Sequence, residues 1–285
     1  MALSSIHADN AAQAADWDGP SGEAWTRRQA VQDAMLAPTT RILLEAAQAR
    51  LGEHVLDIGC GCGETSIALA SAAGPSGHVL GLDLSQAMLA RARQRAPAGL
   101  KLVFLAADAT THAFAPQALD LAVSRFGVMF FADPAAAFAN IRLGMKAGGR
   151  LVFVAWRDAK LNPWLIVALR AATRHAPRLP EQAPDAPGPF SFADEARVAK
   201  ILTDAGFGAA HFHPYDVEID LSGGQGFEAG LESAAQIGPA SRALRNQDET
   251  VRQAARASIR EALTPYRRAD ALPLPGAIWL VEARA

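Results

Sequence analysis

Cysteine is nearly absent: the 285-residue chain has two, Cys60 and Cys62, one residue apart in a glycine run. Such a pair cannot staple distant segments, which excludes a disulfide framework. Lysine is scarce, with only Lys101, Lys146, Lys160 and Lys200, and the arginines are scattered, so no basic stripe for a phosphate backbone is visible and nucleic acid is not the expected partner. Neither sign of charge dominates, 27 basic residues facing 29 acidic ones for a net −2. No purely apolar run reaches about 18 residues, and Met1 to Trp17 has no basic residue ahead of its first apolar stretch; neither a membrane span nor a signal peptide is expected, and a cytoplasmic location is. Hydrophobic residues make up 50% and charged residues 20%, an ordinary globular composition that rules out disordered, collagen-like and coiled-coil chains. The length allows one large domain, or one domain with a sizeable insertion.

From Gly52 to Trp156, short β-rich runs alternate with helix-like stretches, the pattern of parallel strands joined by crossover helices. Strands are expected at His54–Ile58, His78–Asp83, Leu100–Ala106, Leu119–Ser124 and Arg150–Trp156. Helices are expected at Glu64–Ala73, at Ser85–Arg95 with Ser85 as N-cap, and at Pro134–Lys146, the last closed by Ala147-Gly148-Gly149. Ahead of this core, Ser21–Ala49 is helix-compatible, and Gly19-Pro20-Ser21-Gly22 reads as a turn between Trp17 and Trp25. Behind it, Ala176–Pro189 is proline-rich and reads as an extended connector or mobile loop. A helix at Phe192–Ala205 follows, then strands at Ala209–Leu221 and Gly276–Ala283 embracing an alanine-rich helical block, Gln225–Pro265. The expected layout is a helical cap over 1–50, a nucleoside-binding core over 51–158, a lid or connector over 159–192, a core helix and strand over 193–224, a helical lid insertion over 225–268 and a last strand over 269–285.

The informative stretch is His54-Val55-Leu56-Asp57-Ile58-Gly59-Cys60-Gly61-Cys62-Gly63-Glu64-Thr65. An apolar strand runs into a Gly-x-Gly-x-Gly turn that opens a helix, so bare backbone can approach a ligand closely. Twenty residues after Gly63, at the end of the second strand, Asp83 stands where a carboxylate accepts both hydroxyls of a ribose. The glycine spacing is not the Gly-x-Gly-x-x-Gly of nicotinamide enzymes, and Asp57 would repel a pyrophosphate but attract an ammonium and a sulfonium. That favours S-adenosylmethionine over NAD. Asp108, in Ala107-Asp108-Ala109 after the third strand, can accept the exocyclic amine of adenine.

These residues resemble the class I S-adenosylmethionine-dependent methyltransferases. Val55–Thr65, Gly81–Met88, Ala107–Ala109, Leu119–Phe131 and Gly148–Trp156 occur in that family's order. The run Ser124-Arg125-Phe126-Gly127-Val128-Met129-Phe130-Phe131 and the N-terminal Trp17-Asp18-Gly19 with Trp25 are similar to the branch related to ubiquinone and menaquinone C-methyltransferases. The resemblance implies an α/β Rossmann-like fold, a seven-stranded sheet of order 3-2-1-4-5-7-6 with strand 7 antiparallel, and helical lid insertions. It implies cofactor contacts at Asp57, Gly59, Gly61, Gly63, Thr65, Asp83, Leu84, Met88, Asp108, Ala109, Ser124 and Arg125, with S-adenosylhomocysteine as the product. The long Asn162–Gln182 and Gln225–Pro265 segments look tailored to an acceptor other than quinone precursors. Ser124-Arg125-Phe126-Gly127 stands where a nucleobase amine methyltransferase would carry an Asn/Asp-Pro-Pro-aromatic tetrapeptide, which argues against that acceptor.

The expected activity is in-line methyl transfer to an O, N or C atom of a small, aromatic acceptor, driven by positioning and desolvation rather than by a visible triad. Trp17, Trp25, Phe126, Met129, Phe130, Trp156 and Trp164 are the candidate acceptor wall, with core packing as their alternative role. His175, His211 and Tyr215 are candidate bases, His211 sharing a strand face with His213. Arg125 reads either as a ligand contact or as an ion pair to the N-terminal helices. Cys60 and Cys62 read as small fillers, not metal ligands. A cofactor-binding scaffold or sensor without transfer activity, and an RNA or protein methyltransferase, stay open as rivals. A second copy of the chain is an allowed partner.

Overall fold

A computed structural model describes residues 6–180, 183 and 185–285; the first five residues of the expected cap, and Pro184 of the proline-rich stretch, lie outside the described residues. A short turn at Ala8–Asn10 leads into α1 (Ala11–Trp17), α2 (Pro20–Arg27) and α3 (Gln29–Ala47). The core follows as β1 (His54–Ile58), α4 (Glu64–Ala73), β2 (His78–Asp83), α5 (Gln86–Arg95), β3 (Leu102–Ala106), β4 (Leu119–Arg125), α6 (Pro134–Gly144) and β5 (Met145–Trp156). The chain ends with α7 (Pro163–Ala172), α8 (Glu195–Asp204), β6 (His211–Asp220), α9 (Phe227–Gln236), α10 (Gly238–Leu244), α11 (Glu249–Leu263) and β7 (Pro273–Arg284). The strands form one seven-stranded sheet in the order β3-β2-β1-β4-β5-β7-β6, parallel except for β7, which runs antiparallel to both β5 and β6. This is the Rossmann-like topology expected from the sequence.

The parallel strands are nearly continuous apolar runs because helices cover both sheet faces. Val55, Leu56 and Ile58 of β1 and Leu121, Ala122 and Val123 of β4 are buried, and Phe138 of α6 packs against Phe153 of β5. The expected N-cap forms: the Ser85 hydroxyl accepts the Met88 N–H at the start of α5. Strand order reverses between β1 and β4, so a crevice opens beyond their carboxyl ends.

Several boundaries differ from the sequence reading for local reasons. Gly19–Gly22 is not a free turn: Pro20 occupies the first turn of α2, where a missing N–H costs nothing, and Gly22 lies inside that helix. The helix expected to reach Lys146 stops at Gly144, because Met145 already pairs with Leu119, and Gly148 and Gly149 exchange backbone hydrogen bonds with Ala285. The expected connector over 159–192 contains the amphipathic α7, whose Trp164, Leu165, Ala168, Ala171 and Ala172 are buried. Its proline-rich end is anchored where described: the Gly188 N–H and the Ser191 hydroxyl both donate to the Met129 carbonyl. The single expected block over 225–265 is three helices, packed with α7 into a layer beside the carboxyl edge of the sheet.

Asn162, fully buried, ties that layer to the sheet. Its amide nitrogen donates to the carbonyls of Arg157, Asp158 and Ala277, and its Oδ1 accepts from the Ala277 N–H at 2.9 Å and the Trp164 indole at 3.3 Å. Replacing it by alanine leaves buried backbone groups of β7 and of the turn after β5 unpaired. Asn162→Ala should destabilise the protein by roughly 3 kcal/mol, read as a lower urea midpoint; an unchanged midpoint would mean that the layer is held by packing alone.

Candidate functional site

A cavity of about 130 Å³ sits in the crevice beyond β1, β2, β3 and β4. Its floor is backbone and small side chains: Gly59 to Gly61 after β1, Asp83 and Leu84 at the end of β2, Ala107 to Ala109 after β3, and Arg125 to Gly127 after β4. Thr65 and Met88 line it from α4 and α5, while Asn10, Trp17, Trp25 and Leu36 close it from the N-terminal helices.

The three glycines of the turn have φ values of +67°, +55° and +85°, a region costly for L side chains, but they face different neighbours. A Cβ on Gly59 would stand 2.7 Å from the Gly127 Cα, and one on Gly63 would strike Phe104 and Ala92, so these two serve close packing. Gly61 lies on the cavity wall, where a Cβ would meet only the tip of Met88. Asp83 accepts the Gly61 N–H at 2.8 Å and the Ser85 N–H at 2.9 Å, so one carboxylate shapes the turn while lining the cavity. Burial raises its pKa above the ordinary carboxylate value, against the pull of those N–H groups.

Asp57 does not line the cavity. It is fully buried, its Oδ2 accepting the hydroxyls of Thr65 at 2.6 Å and Ser66 at 2.5 Å and its Oδ1 having no partner. Burial pushes its carboxyl pKa upward, and it reaches the cavity through Thr65. Ser124 is likewise off the wall: its hydroxyl donates to the Ile58 carbonyl and accepts from the N–H groups of Gly127 and Val128. Arg125 forms the expected tie to the N-terminal helices, bonding Thr40 at 2.7 Å and facing Asp33 at 3.7 Å on α3, and it also lines the cavity. Burial raises the thiol of Cys60 well above its usual value and that of Cys62 to about 11, so both stay protonated at neutral pH.

Asn10, Gly127 and Phe131 are wall residues that sequence reasoning missed. Buried Asn10 donates to Asp108 at 2.8 Å and accepts the Ala132 N–H at 2.9 Å, and the His7 N–H also donates to Asp108. The first helical segment is thereby clipped to both rims of the crevice. No local signal marks Asn10, an asparagine before an alanine-rich helix.

A second cavity, about 510 Å³, shares Trp17, Trp25, Leu36, Phe126 and Phe130 with the first. Met129, Trp156, Trp164, Leu165 and Gln32 continue its wall, and α2, α10 and α11 cover it. Phe126, at φ +69°, stacks on Trp156 with centroids 4.1 Å apart, Trp156 meets Trp164 at 4.8 Å, and Trp17 stands edge-on to Phe130 at 5.0 Å. All seven aromatic and methionine candidates of the acceptor wall therefore come together. The candidate bases do not join them. His175 is exposed and bonds Ser258, while His211 and Tyr215 are exposed on the edge strand β6, and none lines either cavity. Among the described residues lining the second cavity, Asp16 is the one carboxylate, and Arg245 holds it at 2.9 Å.

Residues 55–149 match the family described as a methyltransferase domain. Among curated proteins, the chain is 35% identical over 118 residues to the aklanonic acid methyltransferase DauC of Streptomyces sp. strain C5, covering 41% of this chain and 54% of that one. It is 27% identical over 175 residues to the demethylmenaquinone methyltransferase of Paenarthrobacter aurescens strain TC1, covering 59% and 67%. The chain spans about half the length or less of the first curated relatives it matches. In three dimensions it is similar to a Haemonchus contortus phosphoethanolamine N-methyltransferase 2 solved with S-adenosylhomocysteine, with a TM-score of 0.52 and 18% identity over 87% of this chain and 52% of that one. The fold is that of the S-adenosylmethionine-dependent methyltransferases.

Two substitutions test the first cavity. Asp83→Asn should weaken S-adenosylhomocysteine binding by about 1.5–3 kcal/mol in calorimetry, the value of a charge-assisted hydrogen bond. Because the carboxylate is the binding form and its pKa is raised, wild-type affinity should fall as the pH drops through that raised value, at a higher pH than an ordinary carboxylate would give; the variant should lose this limb. Gly61→Val should abolish binding, its side chain meeting the cavity and the Met88 tip rather than backbone, at a stability cost of about 1–2 kcal/mol for its φ of +55°, with a folded circular dichroism spectrum showing that the loss is not unfolding. Normal binding by the valine variant would show that the turn serves the fold alone.

Proposed function

We propose that this chain, with its methyltransferase domain at residues 55–149, transfers the methyl group of S-adenosylmethionine to a small aromatic acceptor. The observation that carries the reading is the shared wall: the glycine-turn cavity and the covered chamber meet across Trp17, Trp25, Leu36, Phe126 and Phe130. The first cavity suits the cofactor. Gly61 leaves backbone open to a ligand, Asp83 offers a carboxylate to ribose hydroxyls, and Leu84, Met88, Ala107 and Ala109 offer apolar surface to a purine. When bound there, the cofactor supplies an electrophilic methyl group, transferred in line as the neutral thioether departs.

The chain's own contribution is placement and exclusion of water. Trp25, Phe126 and Phe130 present aromatic faces where the chambers meet, a surface that tolerates a sulfonium and grips a planar acceptor. Arg125, fixed by Thr40 and Asp33, stands ready for the cofactor's carboxylate. No histidine, tyrosine or cysteine lines the second chamber among the described residues, and its one carboxylate, Asp16, is held by Arg245, so the acceptor's proton has no free built-in base to go to and leaves to solvent. The cover over this chamber favours an acceptor that fits inside it over RNA or a folded protein. No described helix is long and apolar enough to cross a membrane.

Methyl-labelled S-adenosylmethionine, offered with a panel of aromatic phenols, amines and enolisable ketones, tests the reading. Label should appear in at least one acceptor class, with rates independent of His175→Ala, His211→Ala and Tyr215→Phe. Cofactor binding with no transfer to any small acceptor would favour the scaffold, and NAD binding without affinity for the sulfonium would overturn the assignment.

A further inference from the structure

The covered chamber is unusually cationic at one end. Arg242 of α10, Arg245 just after it, and Arg252 and Arg256 of α11 line it together with Arg27 of α2, against the single carboxylate Asp16. Three of the five have carboxylate partners: Arg245 with Asp16 at 2.9 Å, Arg252 with Glu249 at 3.2 Å and Arg27 with Glu23 at 3.7 Å. Among the described residues, Arg242 and Arg256 have no hydrogen-bond or ion-pair partner. Arg252 and Arg256 stand four residues apart on one helix face, a like-charge spacing that costs helix stability. Arg242 is half-buried; burial and the neighbouring Arg245 both depress its pKa, with only Asp16 opposing them.

A chamber walled by six aromatic side chains therefore ends in two guanidinium groups, half-buried Arg242 and exposed Arg256, neither of which has a carboxylate within ion-pair distance among the described residues. We propose that its acceptor is an aromatic carboxylate whose anionic group is held by Arg242 and Arg256, as an orienting handle and not as the methylated atom. This rests on the methyltransferase reading above. The orientation follows from which residues the cavities share. None of the five arginines lines the cofactor cavity, whereas Trp17, Trp25, Leu36, Phe126 and Phe130 line both, so the anion sits away from the methyl donor and the ring lies against it.

Gln32 supplies an independent sign of a polar ligand. It lies one helical turn before Leu36 on α3, is 2% exposed, lines the chamber, and its Oε1 has no hydrogen-bond partner. A buried unpaired amide oxygen costs stability unless a ligand donor meets it. Its place beside Leu36 puts that donor, a ring hydroxyl or amine, at the cofactor end of the acceptor. The chamber thus recognises a ring bearing a carboxylate at one end and a hydrogen-bond donor at the other.

The test uses 2-naphthoate and its neutral isostere 2-naphthamide as probes, with S-adenosylhomocysteine saturating the protein and Kd read by ligand-observed NMR. Naphthoate should bind at least about tenfold more tightly, the worth of one charge-assisted contact, with an affinity that falls as salt is added. In Arg242→Gln with Arg256→Gln the preference should shrink below about twofold, while Arg242→Lys with Arg256→Lys should restore most of it. The S-adenosylhomocysteine affinity of each variant, measured by calorimetry, reports an intact fold. Equal affinity for the two probes, binding of neither, or a preference that survives the glutamine pair would overturn the proposal. Failure of the wild type to bind S-adenosylhomocysteine would instead sink the methyltransferase reading, and the two probes in its absence would still decide the anion site.

Discussion

The exits of β1 and β4 are in backbone contact, and most of the site depends on it. A Cβ on Gly59 would lie 2.7 Å from the Gly127 Cα, and a Cβ on Gly127 would lie 2.7 Å from the Ile58 carbonyl oxygen. Ser124 seals the contact, its hydroxyl donating to that carbonyl while accepting the N–H groups of Gly127 and Val128. With the two turns pressed together, the residue before Gly127 is forced into the left-handed region. That residue is Phe126, and the cost of its φ of +69° is offset by stacking on Trp156. The ring so placed becomes the partition between the two chambers.

Much of this was legible in the sequence, and the reasons differ by residue. The strands β1 and β2 run over the residues that an apolar run ending in a glycine turn or an aspartate predicts, because strands buried on both faces carry their assignment in composition alone. Asp83 was legible because its place at a strand end fixes its exposure to the crevice. Asp57 was only partly so: sequence shows a carboxylate near the turn, but whether it faces ligand or reaches it through Thr65 depends on how α4 seats its first turn. Ser124 was read as a ligand contact, whereas its work is to hold two strand exits together, a role visible only when β1 and β4 are seen as neighbours.

The arginine end of the second chamber was not legible, because its members come from residues 27 and 242–256 and meet only in the folded chain. Arg28 bonds Ser233 and Gln236, and Arg245 bonds Asp16 and Ser21, so the two covering layers are stitched by polar contacts spanning more than 200 residues of sequence. The candidate bases failed for the opposite reason. His211 and Tyr215 share a face of a strand as the period of two predicts, but that strand is the sheet edge, the place in this topology most distant from the β1–β4 crevice.

The inversion of the last two strands has a consequence for the order in which the molecule can be made. β6 has no strand neighbour other than β7, and β7 is inserted between it and β5. As the chain emerges from the ribosome, the five parallel strands can assemble from local crossovers, but β5 then waits with an unpaired edge while residues 157–272 are synthesised. Until β7 arrives, β6 cannot join the sheet at all. Closure of the second chamber, covered in part by helices that lie between β6 and β7 in sequence, is therefore a late event of folding, and the exposed margin of β5 is the stretch that a nascent chain most needs shielded from other unpaired strands.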